Sequence, residues 1–131
     1  MSDPLDLTGA WEGIFNYPRG LPPGDFRAEL RDAAGAITGE TEERGDADQA
    51  GLTLHALIVG TRSGTAVAFT KRYDALARAA DPVRYEGTLS PDGDEITGRW
   101  SIPGSWSGSF IMVRAARRTA PAAVEMAETV R

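Results

Sequence analysis

The chain has no cysteine. That excludes disulfides, thiolate zinc sites and a cysteine nucleophile. It has one histidine, His55, with no partner in the pattern from which a catalytic triad could be assembled. No apolar run approaches the roughly 20 residues that cross a bilayer as a helix, so no membrane role is expected. The N-terminus lacks the basic, apolar and small-residue succession of a signal peptide, and a cytoplasmic location is the expectation. Basic residues are in the minority: the net charge is −5, whereas nucleic-acid binding calls for a basic face. The one basic cluster, Arg114–Arg118, has no aromatic interleaving for stacking on bases. With 131 residues, 41% of them hydrophobic, the chain suits a single domain with one core.

Glycine and proline are plentiful, 15 and 8 residues, so the chain turns often. A short phrase recurs: LTGAW at Leu7–Trp11, ITGRW at Ile96–Trp100, and a weaker ITGET at Ile37–Thr41. Between the turns, apolar residues recur every second position, the period of a half-buried strand. Eight segments show it: Leu7–Tyr17, Phe26–Asp32, Ala36–Glu43, Leu52–Val59, Thr65–Tyr73, Val83–Leu89, Glu95–Ile102 and Trp106–Arg114. AAG at Ala33–Gly35, TRSG at 61–64 and SPDGD at 90–94 read as turns. Residues 74–82 form a longer connection with room for one helical turn.

Eight sequential strands leave two open edges unless the sheet closes. The expected fold is therefore all-β, an eight-stranded antiparallel up-and-down barrel over residues 1–114. A tail over 115–131, helical or partly disordered, follows it, with Pro121 placed to open a short helix. A two-sheet sandwich is the alternative, but few loops are long enough for its crossings. Gly9, Gly13, Gly39, Gly87, Gly98 and Gly108 fall on the same face as the aromatic residues. They ease the curvature of a small barrel and remove wall volume, which leaves room for a pocket. Closure would also set Arg114 beside Trp11 on the inner face, closing the base of the barrel by a cation–π contact.

The G-x-W of Gly9-Ala10-Trp11 near the start of the first strand, with Arg114 at the end of the last, resembles the calycin superfamily: lipocalins, fatty-acid-binding proteins and avidins. LTGAW is most similar to the first strand of avidins. Avidins place polar biotin contacts soon after that Trp, and here the position two residues on is Gly13 rather than Asn. The resemblance thus implies a fold, and not biotin as the ligand.

Lys71 and Tyr73, in FTKRY, share the phase of Phe69 and so point inward. An inward ammonium must find a partner or lose its proton, and Glu43, in phase with Ile37 and Thr41, is the candidate partner. The plainer reading puts Lys71 at a strand end, where its stem lets the ammonium reach water. Strand phase leaves His55 open, outward with Thr53 or inward with Leu57 and Val59. The acidic loops DADQAG and DGDE lack the ligand pattern of a calcium loop and read as solvated turns, so no metal and no cofactor are expected. Ile14, Ile111 and Val113 make an apolar stripe on the outer face of the first and last strands. Either the tail residues Val124, Ala127 and Val130 or a second subunit of a homo-oligomer would cover it.

Three functional readings follow. The first is binding of a small, largely apolar or aromatic molecule inside the barrel. Phe15, Tyr17, Phe69, Tyr85, Trp100 and Trp106 would line the pocket, with Lys71, Tyr73 and Glu43 as polar contacts. The second is a cofactor-independent isomerase, cyclase or lyase in which Lys71, Tyr73 and Glu43 do acid–base work. The third is a structural module whose aromatic residues fill the core.

Overall fold

Alternation over seven to eleven residues per segment dictates strands with one apolar face, and such strands must bury that face together. The computed structural model describes residues 5–18, 20, 22–44, 53–73, 82–104 and 106–115, with residue 44 described in its backbone alone. Eight strands form: β1 Gly9–Phe15, β2 Gly24–Ala33, β3 Ala36–Arg44, β4 Thr53–Ser63, β5 Ala66–Tyr73, β6 Val83–Leu89, β7 Glu95–Ser101 and β8 Ser107–Arg114. Each pairs antiparallel with the next, and β8 pairs back onto β1, so the sheet is a closed barrel rather than a sandwich. Closure removes both edges. No helix among the described residues is long and apolar enough to cross a membrane. The expected helical tail lies outside the described residues beyond Ala115, as do the acidic loop at 45–52 and the connection at 74–81.

Where alternation implies a phase the strand keeps it, and the phase of β4, which alternation leaves open, is set by the structure. In β2, Phe26, Ala28 and Leu30 are buried while Arg27, Glu29 and Arg31 are exposed. Trp11, Trp100 and Phe110 all line the inside. In β4, Ala56 and Ile58 point in, which turns His55 out with Thr53. β4 runs on to Ser63, past the Val59 expected from sequence, because residues 60–63 continue the ladder with β5. The turn is only Gly64–Thr65. That extension was hidden because its inward side chain is charged: Arg62 is buried against Asp32. β1 is shorter than expected, since Leu7 and Thr8 engage Asp32 instead of the strand ladder.

Connections alternate between the two ends of the barrel, and the ends differ. At one end, the base, the links are Ala34–Gly35, Gly64–Thr65 and Ser90–Asp94. The first is a two-residue turn with φ of 54° at Ala34 and 95° at Gly35. Positive φ at both central residues is the geometry whose twist matches flanking strands. At the other end, the loop end, the strands are joined by 16–23, 45–52, 74–82 and 102–106. The strands tilt between these ends. Following paired residues sideways from Arg114 through Trp11, Ala28, Thr41 and Ala56 leads to Tyr73. That row starts at the base and finishes at the loop end, as the stagger of a closed barrel demands.

The base is tied shut. Trp11 is fully buried and its Nε1 donates to the Leu7 carbonyl at 2.8 Å. The Arg114 guanidinium lies 4.5 Å from the Trp11 ring centroid, a contact worth about 2 kcal/mol when desolvated. Arg114 also donates to the carbonyls of Asp6, Thr8 and Gly93 and to the Asp94 carboxylate. It thus joins the N-terminal segment, the β6–β7 turn and the end of β8. Asp32 does similar work nearby. Its carboxylate accepts from the Leu7 amide at 3.1 Å, the Gly35 amide at 2.8 Å and Arg62 Nε at 2.6 Å.

The inward glycines have a different use from the one expected. Five of them sit directly across the ladder from an aromatic residue: Gly13 from Phe26, Gly24 from Phe15, Gly60 from Phe69, Gly98 from Phe110 and Gly108 from Trp100. A Cβ on Gly13 would strike the Phe26 ring, on Gly24 the Phe15 ring, and on Gly108 the Trp100 indole. At Gly13, Gly24 and Gly108 the wall volume that glycine removes is therefore taken by a neighbouring ring, whereas at Gly39, Gly60, Gly87 and Gly98 a Cβ would first meet the backbone of the adjacent strand.

Candidate functional site

The aromatic rings form one connected set that begins at the loop end. Trp106, 39% exposed, lies against Tyr17 with ring centroids 5.1 Å apart. Trp100 meets both edge-on, at 5.9 Å from Trp106 and 5.7 Å from Tyr17. Phe15 continues the chain of contacts, 5.3 Å from Tyr17 and 6.4 Å from Trp100. Deeper in, Phe26 joins Phe15 to Tyr85, and Tyr85 stacks on Phe69 at 4.8 Å. Such pairs add roughly 1 kcal/mol each beyond area burial. Trp100 is held in place by its Nε1, which donates to the Asn16 carbonyl at 3.0 Å.

A buried charge sits inside this set. Lys71, paired with Ile58 on β4 and with Val83 at the start of β6, is 1% exposed. The plainer reading, in which the ammonium reaches water at the rim, is thus corrected. The register places Lys71 one pleat deeper than Tyr73, and the rings close over it. Nζ lies 4.5 Å from the Phe26 centroid, 5.0 Å from Phe15, 5.2 Å from Tyr85 and 5.3 Å from Tyr73. It donates to Glu43 Oε1 at 3.0 Å, and the Tyr73 hydroxyl donates to the same oxygen at 2.9 Å. An ammonium in a cage of aromatic faces, with a carboxylate closing one side, is well matched electrostatically.

Burial by itself would strip the Lys71 proton, but Tyr85, Tyr73 and Glu43 outweigh it and raise the pKa above its ordinary 10.5. Burial raises the Tyr73 and Tyr85 phenols too, against the opposing pull of Lys71. Near neutrality the two phenols are therefore uncharged, and the carboxyl that Lys71 contacts is that of Glu43. Lys71, Tyr73 and Tyr85 all stand as proton donors.

The structure thus brings Phe15, Lys71, Tyr73, Tyr85 and Glu43 into direct contact. It joins Tyr17, Trp100 and Trp106 to them through Phe15. Phe69 lies on the far side of Tyr85, packed 6.4 Å from Phe110 as part of the core. Two residues were missed. Phe26 supplies the nearest ring to the ammonium, and its inward phase was legible. Thr41 is 1% exposed, and its hydroxyl has no hydrogen-bond partner among the described residues. A polar side chain on the inward phase, two residues from Glu43, was the available signal.

Elsewhere, Ile14 and Val113 are each 47% exposed on the outer face of β1 and β8. Among the described residues no group of three or more acidic or histidine side chains could hold a metal ion. In comparisons with protein-family models, curated proteins and solved structures, nothing matches the chain.

Proposed function

We propose that this protein is a calycin-like barrel that binds a small, largely apolar or aromatic molecule at its loop end. The fold assignment rests on the closed eight-stranded topology and on the G-x-W of β1 lying under the final Arg of β8. The binding reading rests on one observation above others, the buried Lys71–Glu43 pair ringed by aromatic faces. An ion pair of this kind contributes little stability that a well-packed apolar pair would not supply. It does provide fixed polar groups beside apolar and aromatic surface, the composition of a ligand site. The part-exposed Trp106 and half-buried Tyr17 stand at the mouth, where the longer connections gather. The acid–base alternative, a cofactor-independent isomerase, cyclase or lyase, finds less support. Lys71 and both phenols are held in protonated forms, which suits stationary donors better than groups that cycle a proton.

Native mass spectrometry of protein purified from its own host should reveal a retained small molecule. Trp106→Ala should lose that molecule and cost about 2 kcal/mol of stability, since the ring gives up its contacts with Tyr17 and Trp100. Protein that retains nothing, and whose Trp emission ignores a panel of aromatic and apolar metabolites, would defeat the proposal.

A further inference from the structure

Thr41 is the one described residue whose buried side chain has an unpartnered polar atom. Such orphans are few in folded proteins and call for an explanation, since a buried hydroxyl without a partner costs about 1–3 kcal/mol. Its surroundings give the explanation. On the strands to either side, the paired residues are Ala28 and Ala56, both buried and both too short to reach it or to offer a hydrogen bond. Two residues along the same face of β3, Glu43 accepts from Lys71 and Tyr73. Beyond Ala56 in the same row stands Tyr73 itself. The hydroxyl therefore faces the interior from a wall of methyl groups, next to an ion pair that is already internally neutral.

We propose that Thr41 is the polar contact of a subsite for the ligand's head group, and that this head group is an uncharged hydroxyl or carbonyl. This rests on the binding reading above and narrows the class of ligand. The charge argument is direct. Lys71 and Glu43 cancel, so a carboxylate or ammonium head brought among them would leave one net charge buried among aromatic rings and methyls. A neutral donor or acceptor instead satisfies the Thr41 hydroxyl, which can serve in either sense.

The test uses four probes that share one bicyclic ring: 2-naphthylmethanol, 2-naphthoate, 2-naphthylmethylamine and 2-methylnaphthalene. Binding is followed by the indole N–H resonances of the full chain. The alcohol should bind at least about tenfold more tightly than either charged probe. Thr41→Val should weaken the alcohol by about tenfold, the worth of one buried hydrogen bond, and leave 2-methylnaphthalene unchanged. Thr41→Ser, which keeps the hydroxyl, should restore the alcohol. Tightest binding of the naphthoate or the amine overturns the proposal, as does undiminished binding of the alcohol to Thr41→Val. If none of the four binds, 2-methylnaphthalene included, the binding reading falls and the subsite falls with it. Binding of 2-methylnaphthalene with no preference for the alcohol removes the subsite alone.

Discussion

Among the described residues each end of the barrel buries one ion pair with both partners out of water, and the two pairs hold different things. At the base, Asp32 meets Arg62 at 2.6 Å and also accepts the Leu7 and Gly35 amides. That carboxylate fastens backbone: the N-terminal segment and a hairpin turn. Toward the loop end, Glu43 meets Lys71 at 3.0 Å and accepts the Tyr73 hydroxyl. That carboxylate orders side chains within the barrel. Buried charge carries a desolvation cost in both places. At the base the gain is visible as a closed structure. Near the loop end no backbone is fastened by the pair, and the proposed ligand site is the account offered for it.

The contrast can be broken most severely at the base. Trp11→Ala should cost about 4 kcal/mol, read as a fall in the denaturant midpoint, because it removes the largest fully buried side chain and the platform under Arg114. A loss below about 1 kcal/mol would mean that the base does not hold the barrel shut. Next in size is Lys71→Met, expected to cost about 3 kcal/mol by leaving Glu43 buried without its counter-charge. The double variant Lys71→Met/Glu43→Leu should recover to within about 1 kcal/mol of the wild type while losing ligand. If the double variant stays as unstable as the single one, the pair is structural and the contrast between the ends disappears.

The gentlest test is pH. Amides and Arg62 more than offset the effect of burial on Asp32, so its pKa is lowered from the usual 3.8. Its contribution is present above that value and fades as pH falls through the lower folded value. Lys71 is raised above 10.5, so its contribution is whole below that pH and fades as pH rises through the folded value. The phenols act in the same alkaline direction: keeping Tyr73 and Tyr85 protonated above pH 10 favours the folded state less as ionisation in the unfolded chain gains ground. Acid unfolding should therefore be blunted in Asp32→Asn, and alkaline unfolding in the Lys71→Met/Glu43→Leu variant. Identical pH profiles for both variants and the wild type would contradict this separation.

Much of this architecture was legible beforehand. Alternation located all eight strands and the phases of all but β4, where His55 could face either way, and the pairing of Trp11 with Arg114 followed from closure alone. The end of β4 was not legible, because an inward arginine looks like a loop residue until its aspartate is seen across the sheet. The glycines were legible as inward, but their purpose was not. Gly13 and Phe26 read as two separate facts until the ladder sets one opposite the other. In the site, Lys71, Tyr73 and Glu43 could be nominated from phase. Whether Lys71 reached water depended on strand stagger, which no single segment encodes. Thr41 passed as an ordinary strand threonine because an unmet hydrogen bond is a property of its neighbours.

Sequence by itself determined that the chain makes strands, which face of every strand but β4 is apolar, and that the edges are best removed by closure. A period of two is a local property, written residue by residue in the order of side chains. Only the tertiary structure decided that Lys71 is caged, that Glu43 answers it from 28 residues away, and that the vacant space over Gly13, Gly24 and Gly108 belongs to a ring on the next strand. Those outcomes turn on register and tilt, which are set when all eight strands pair at once and a shift at any one seam would have to be matched around the whole circle.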